Sequence, residues 1–218
     1  MITLALDAAS GAGTIAVFDG DRLAAEAEVP MGARSGDRFF PSVLDALREA
    51  GTRPSLVTRV FCGGGPGSFT SLRIVGAIAK GIAEGAGAPL YAMPSLALAV
   101  AADPLLPAGR YLVLADALRG ECFAQACERT TDGRVLAREP AERATPVALA
   151  AMAASTGARL VGFGQAEGLL PHARGALALE RGGAATLVDV ASWEPAYGRL
   201  AEAQVQWEAA HGRPLPAA

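Results

Sequence analysis

The stretch Cys62-Gly63-Gly64-Gly65-Pro66-Gly67-Ser68-Phe69-Thr70-Ser71-Leu72-Arg73 decides how the chain is read. An apolar run from Leu56 to Cys62 leads into it, and a helical pattern from Ser71 to about Gly85 follows. The segment is therefore a buried strand, a loop rich in glycine, and a helix N-terminus. Backbone N–H groups in such a loop can converge on an anion, helped by the helix dipole. That makes Gly65, Gly67, Ser68 and Thr70 a candidate anion or nucleotide loop, although a tight turn without ligand has the same pattern. A phosphate loop of the Walker type needs Lys and Ser/Thr after its second glycine, whereas Gly67 is followed by Ser68 and Phe69. Pro66 interrupts the dinucleotide fingerprint as well.

The helix beyond the loop carries an unusual surface. Leu72, Ile74, Val75, Ile78 and Ile82 are apolar, while Ala77, Gly81 and Gly85 recur at every fourth position beside Gly76. Glycine inside a helix costs about 1 kcal/mol relative to alanine. Small residues spaced by four let a second helix approach closely, and a helix apolar nearly all round needs cover on more than one side. Another chain, the second lobe or the first helix could supply that cover.

Upstream, Ile2–Leu6 is an apolar run ending in Asp7, Thr14–Phe18 is a second, and Arg22–Val29 is a third after the turn Asp19-Gly20-Asp21. Three antiparallel strands thus open the chain. Residues 36–50 form a helix with Phe40, Val43, Leu44 and Leu47 inward, capped by Ser35 or Asp37 and stopped at Gly51. Downstream, the loop and helix lead to a strand at Pro89–Met93 and a helix at Ser95–Ala102. After Asp103-Pro104 the pattern restarts: a strand to Ala115 and Asp116, a hairpin around Thr131-Asp132-Gly133, an alanine-rich helix over 145–155 and a strand over 159–163. Strand, hairpin, helix and strand occur twice, which predicts two α/β lobes, residues 1–103 and a smaller 104–218 with a C-terminal helix.

Composition sets outer bounds. The chain has 218 residues, 51% hydrophobic, with a formal net charge of −3. Alanine makes up about a fifth of it, so the hydrophobic share overstates bulky core side chains. No stretch reaches the roughly 18 apolar residues of a membrane span, and Met1 to Asp7 lacks a signal-peptide pattern, so a cytoplasmic protein is expected. A chain that grips nucleic acid alone wants a basic footprint, and this one is acidic. Cys62, Cys122 and Cys127 form no disulfide or zinc spacing; Cys122 and Cys127, five apart, fall on opposite faces of one strand. Two histidines, His172 and His211, make no metal motif. Asp7 and Asp116 each close the first strand of a lobe, where an acid could hold magnesium, but Ala8 and Ala9 follow the former and Ala117-Leu118-Arg119-Gly120 the latter.

Leu4-Ala5-Leu6-Asp7, Gly65-Pro66-Gly67-Ser68-Phe69-Thr70 with Leu72-Arg73, Pro89, and Glu194-Pro195-Ala196-Tyr197 together resemble the bacterial TsaB family of tRNA threonylcarbamoyladenosine biosynthesis. The resemblance runs over the whole chain and is strongest up to about residue 100. It implies an α/β, two-lobed actin/Hsp70-like (ASKHA) fold with a mixed sheet and helices in each lobe. It further implies a non-catalytic scaffold for threonylcarbamoyl transfer to adenosine 37 of tRNAs that read codons beginning with A. The resemblance implies a TsaD-like catalytic subunit and a TsaE-like ATPase as partners, with homodimer and monomer both open to the isolated chain and tRNA met only indirectly. ATP is used by the assembled complex, and no cofactor by this subunit alone. The family packs its two first-lobe helices against the partner, which carries over to Phe39, Val43, Arg73, Ala77, Lys80, Gly81 and Glu84. Ser35 stands where many relatives have histidine, and Ala8-Ala9 replaces the usual Thr-Ser. The competing reading is a small ASKHA-type ATPase or phosphotransferase using Asp7 and the Gly63–Ser68 loop.

Overall fold

The computed structural model describes residues 1–32, 36–137, 139–166, 168–198, 207 and 210–212. Two mixed sheets organise it. The first contains β1 (Ile2–Asp7), β2 (Ala12–Asp19), β3 (Arg22–Pro30), β4 (Val57–Gly63), β5 (Leu90–Met93) and β11 (Thr186–Val188), in the order β11-β5-β4-β1-β2-β3. The second contains β6 (Gly109–Leu118), β7 (Glu121–Arg129), β8 (Val135–Leu136), β9 (Glu142–Ala144) and β10 (Arg159–Gly162), in the order β10-β6-β7-β8 with β9 also on β7. Helices α1 (Gly36–Glu49), α2 (Phe69–Ala86), α3 (Ala97–Ala102), α4 (Pro146–Thr156) and α5 (Ala176–Arg181) fill the layers.

The duplication read from the sequence is present in the strand pairing. β1 pairs antiparallel with β2 and parallel with β4, the strand after α1. β6 pairs antiparallel with β7 and parallel with β10, the strand after α4. Parallel neighbours need a crossover, and α1 and α4 supply it.

Period-two alternation separates three cores. Leu4, Leu6, Ile15, Val17, Val60 and Cys62 face α1 and α2. Ala5, Ala16, Phe18 and Phe61 point the other way, to α3, α5 and the inner face of the second sheet at Tyr111, Val113 and Phe123. Leu112, Leu114 and Ala124 form a third core with Leu149 and Ala153 of α4. The layers thus run helices, sheet, helices, sheet, helix. Cys122 joins the third core and Cys127 the second, on opposite faces as their spacing predicts; both thiols and that of Cys62 are free and buried. No helix among the described residues is long and apolar enough to cross a membrane.

The lobe boundary needs correction. The chain leaves the first lobe near residue 104, but β11 returns to it, pairing Leu187 with Tyr91 of β5. An edge strand of three residues gives little alternation to read, which is why it and β9 go unseen in the pattern. α5 is also absent from the sequence reading; it lies between the lobes, where Arg59 of β4 pairs with Glu180 and donates Nε–H to Thr3 Oγ1 at 2.7 Å. The expected C-terminal helix falls largely outside the described residues, as does Ser35.

The inward phase of α1 is shifted at its start. Phe39, Val43, Ala46 and Leu47 are buried, whereas Phe40 is 45% exposed. The cause is Gly13 on β2: a Cβ there would lie 2.5 Å from Cε2 of Phe39, so the bare backbone makes the seat for that ring. Phe39 and Val43, proposed for a partner surface, are 0% exposed and belong to the core. Truncation by Phe39→Ala should cost about 3–5 kcal/mol in chemical denaturation. Phe40→Ala should cost less than about 1 kcal/mol. Equal costs would reverse the assignment of faces.

Candidate functional site

The glycine loop runs from the end of β4 into α2, and three of its N–H groups are held by the chain itself. Gly64 N–H donates to Met93 O at 2.7 Å, Gly65 N–H to Ser95 Oγ at 2.9 Å and Ser68 N–H to Ala9 O at 3.2 Å. Pro66 has no donor. An anion cradle needs several such groups pointing outward, and this loop holds those of Gly64, Gly65 and Ser68 on its neighbours.

The chain also covers the loop with its own C-terminal segment. Ala196 N–H donates to Gly64 O at 2.7 Å. A Cβ on Gly65, at φ +89°, would meet Ala196 O at 2.2 Å, and one on Gly76 would meet Pro195 Cγ at 3.3 Å. Tyr197 packs on Phe69 with ring centroids 4.4 Å apart, and the Arg73 guanidinium stands over the same Phe69 ring at 5.3 Å from its centroid. A Cβ on Gly198 would lie 2.7 Å from Phe123 of the second lobe and 2.8 Å from Pro66. The sequence quoted Glu194-Pro195-Ala196-Tyr197 as a motif without placing it. It is a strap that binds the loop, and the missing side chains at Gly65 and Gly76 are the signal that something presses there.

Asp7 is 0% exposed. Its Oδ2 accepts the N–H of Ala9 at 3.0 Å, an Asx-type turn closing β1. Oδ1 has no hydrogen-bond partner and is shut in by Gly63, whose Cβ, if present, would lie 1.8 Å away. Burial raises this carboxyl to about 6, against the opposing effects of the nearby Ser95 hydroxyl and the Ala9 N–H. Ser95 lies close enough to oppose the rise, yet at a geometry short of a hydrogen bond. The Gly67 backbone is pressed on Ala9, with Ala9 O at 2.3 Å from a Gly67 Cβ. The sealed carboxyl and the spent loop do not fit a magnesium nucleotide held in the manner of a phosphotransferase.

Asp116, at the equivalent place in the second lobe, is exposed and lines a cleft between the lobes of about 440 Å³. Ala9, Gly67 and Ser68 form one side of this cleft; Leu114, Leu118 and Phe163 belong to the other. His172, buried beside it, accepts the Arg174 N–H at Nδ1 and holds Nε2 3.3 Å from Glu28 Oε1. Burial and the Arg174 charge lower its pKa, against the pull of Glu26 and Glu28.

The outer face of α2 is open. Arg73, Ala77, Gly81 and Glu84 are exposed, and no described residue lies within 4 Å of a Cβ built on Gly81 or Gly85. Lys80 Nζ donates to Ala191 O at 3.4 Å. Gly76, by contrast, faces inward under Trp193 and Pro195. Of the small positions, one serves the chain's own packing while Ala77, Gly81 and Gly85 remain available.

A family model described as TsaD, tRNA N6-adenosine threonylcarbamoyltransferase, matches residues 33–156. The tRNA threonylcarbamoyladenosine biosynthesis protein TsaB of Escherichia coli is 33% identical over 134 residues, 61% of this chain and 58% of that protein. The match therefore spans less than two thirds of the curated relative. YeaZ from Pseudomonas aeruginosa superposes with a TM-score of 0.70 at 25% identity, covering 90% of this chain and 99% of that one. A second Pseudomonas aeruginosa protein, described as similar to peptidase YeaZ, superposes at 0.74 with 25% identity, 91% and 99% coverage. The fold is the mixed α/β architecture with two sheets that these YeaZ structures share.

Two outcomes follow from the site's packing. Gly65→Ala should destabilise the chain by more than about 2 kcal/mol in thermal unfolding, because it adds both a forbidden φ and a clash with the strap. Asp7 should make stability fall as pH rises. With a folded value of about 6 against 3.8, the native state holds the proton more tightly. Its stabilisation is full below pH 4 and is lost as pH climbs through 6, a difference of about 3 kcal/mol. Asp7→Asn should remove that component, so that the variant gains on the parent between pH 4 and 7. Parallel pH profiles would show that the carboxyl stays ionised.

Proposed function

The chain belongs to the TsaD family and is TsaB-like, and from that premise we propose that it works as a non-catalytic scaffold in tRNA threonylcarbamoyladenosine synthesis. In this reading it binds a TsaD-like catalytic subunit that modifies adenosine 37 of tRNAs reading ANN codons, and helps recruit a TsaE-like ATPase in the cytoplasm. ATP is consumed by the assembled complex, and tRNA is met through the partners. The observation that carries the reading is the open face of α2, where Arg73, Ala77, Gly81 and Glu84 surround helix backbone that nothing among the described residues covers. Bare backbone on one helix admits a second helix closely enough for dispersion contacts along its length. The same face could pair two copies when the catalytic partner is lacking.

The chemistry of the glycine loop supports the non-catalytic part. Its donors at Gly64, Gly65 and Ser68 are held by Met93, Ser95 and Ala9, and Asp7 lies sealed behind Gly63. A phosphotransferase needs those groups facing its substrate.

Gly81→Leu puts a branched side chain on the open face without touching the chain's own core. It should leave the unfolding midpoint nearly unchanged and weaken copurification with TsaD at least about tenfold, the effect of a central interface clash. Unchanged complex formation would remove this face from the interface. Reconstituting tRNA modification with TsaD and TsaE, with and without this chain, separates a required subunit from a bystander.

A further inference from the structure

The cleft between the lobes combines features that the scaffold role does not use. Its volume of about 440 Å³ falls in the range of small-molecule sites. Leu96, Leu114 and Phe123 are buried among its lining, whereas Leu118, Phe163 and Leu170 are 48%, 50% and 63% exposed at it. Three large apolar side chains exposed around one opening are costly in water unless something covers them.

The charge inventory is one-sided. Among the described lining residues there is no Lys, Arg or His, and Asp116 is the one ionisable group. Its Oδ1 accepts the Leu118 N–H at 2.8 Å, and Oδ2 has no hydrogen bond among the described residues. The turn that supplies this N–H is strained: Leu118 and Arg119 sit at φ 64° and 56°, a left-handed conformation that side-chain-bearing residues rarely adopt. The strained turn therefore fixes one carboxylate oxygen and an apolar side chain together at the edge of the cleft. The adjoining groove, which shares Ser10, Leu169, Leu170 and Pro171, adds Glu26, Glu28 and Asp103, with Arg174 already paired to Glu26. An anion entering the cleft meets Asp116 with no cation among the described lining residues, and the loop beside it holds its Gly64, Gly65 and Ser68 N–H groups on Met93, Ser95 and Ala9.

We propose that this cleft is a binding site for a ring-bearing amphiphile that is neutral or carries one positive charge, with its ring among Leu96, Leu114, Leu118 and Phe123 and its cationic N–H on Asp116. The Asp116 carboxylate disfavours phosphorylated ligands. Since Ala9 and Ser68 belong to the first lobe and Leu114 and Phe163 to the second, the ligand bridges the lobes. This site is separate from the α2 face, so it stands or falls independently of the scaffold role.

Three probes of matched ring test it on the full chain: 1-naphthylmethylamine, 1-naphthylmethanol and 1-naphthylacetate, with magnesium ATP as a fourth, followed by calorimetry and amide NMR shifts. The amine should bind saturably and about fivefold tighter than the alcohol, the contribution of one exposed ion pair. The acetate should be weakest, and ATP should not bind. Asp116→Asn should bring amine and alcohol to parity while alcohol binding persists. Leu118→Asn, which keeps a residue tolerant of the left-handed turn, should weaken all three naphthyl probes several-fold. Shifts should centre on Leu114, Ala115 and Phe163. Absence of saturable binding at millimolar concentration, equal affinity for amine and acetate, binding of ATP in the cleft, or indifference to both substitutions would each overturn the proposal.

Discussion

Four glycines, three from the end of β4 through the loop after it and one in α2, let neighbouring atoms press on bare backbone, and much of the first lobe depends on those contacts. Gly63 lets Asp7 fold back beneath it, Gly67 rests on Ala9, Gly65 accepts the close approach of Ala196, and Gly76 leaves room for Pro195 and Trp193. A methyl group at any of the first three would overlap an atom within 2.3 Å. These contacts set where α2 begins, how the strap crosses it, and which side of that helix is left outward. The open face at Ala77 and Gly81 is thus a consequence of what is buried on the other side.

That constraint also accounts for the chemistry. A glycine loop before a helix is suited to bind an anion only while its N–H groups face outward. Here the close packing turns them to Met93, Ser95 and Ala9. The carboxyl of Asp7, with no room for water at Oδ1, is pushed toward its neutral form. The result is a two-sheet α/β fold whose glycine loop is covered by the chain's own segment at 193–198. The cleft nearby remains, apolar and electronegative, bounded by Asp116 and the strained turn at Leu118.

Much of the fold was legible in the residues. The two strand–hairpin–helix–strand sets, the opening hairpins, α2 and the opposite faces of Cys122 and Cys127 all follow from periods of 2 and 3.6. The inward phase of α1 was half legible: Val43 and Leu47 were read correctly, but adjacent aromatics at 39 and 40 offer two phases, and the choice rests on Gly13 across the sheet. β9, β11 and α5 are too short to generate a period. Of the candidate interface residues, Arg73, Ala77, Gly81 and Glu84 lie on the exposed face of α2, Lys80 reaches Ala191, and Phe39 and Val43 are core. The strap was visible as a motif, yet nothing within it names its partner.

The sequence alone determined the element types, the mixed two-lobed architecture and the family, because these rest on local periodicity and on contiguous motifs. The tertiary structure decided which groups are free to act. Whether Gly65 N–H meets solvent or Ser95, and whether Asp7 meets water or Gly63, depends on residues 30 and 56 positions away in the chain. Local propensity carries no information over that distance. Only the packed chain brings Ala196 onto Gly64 and gathers Asp116, Leu118 and Phe163 around one cleft.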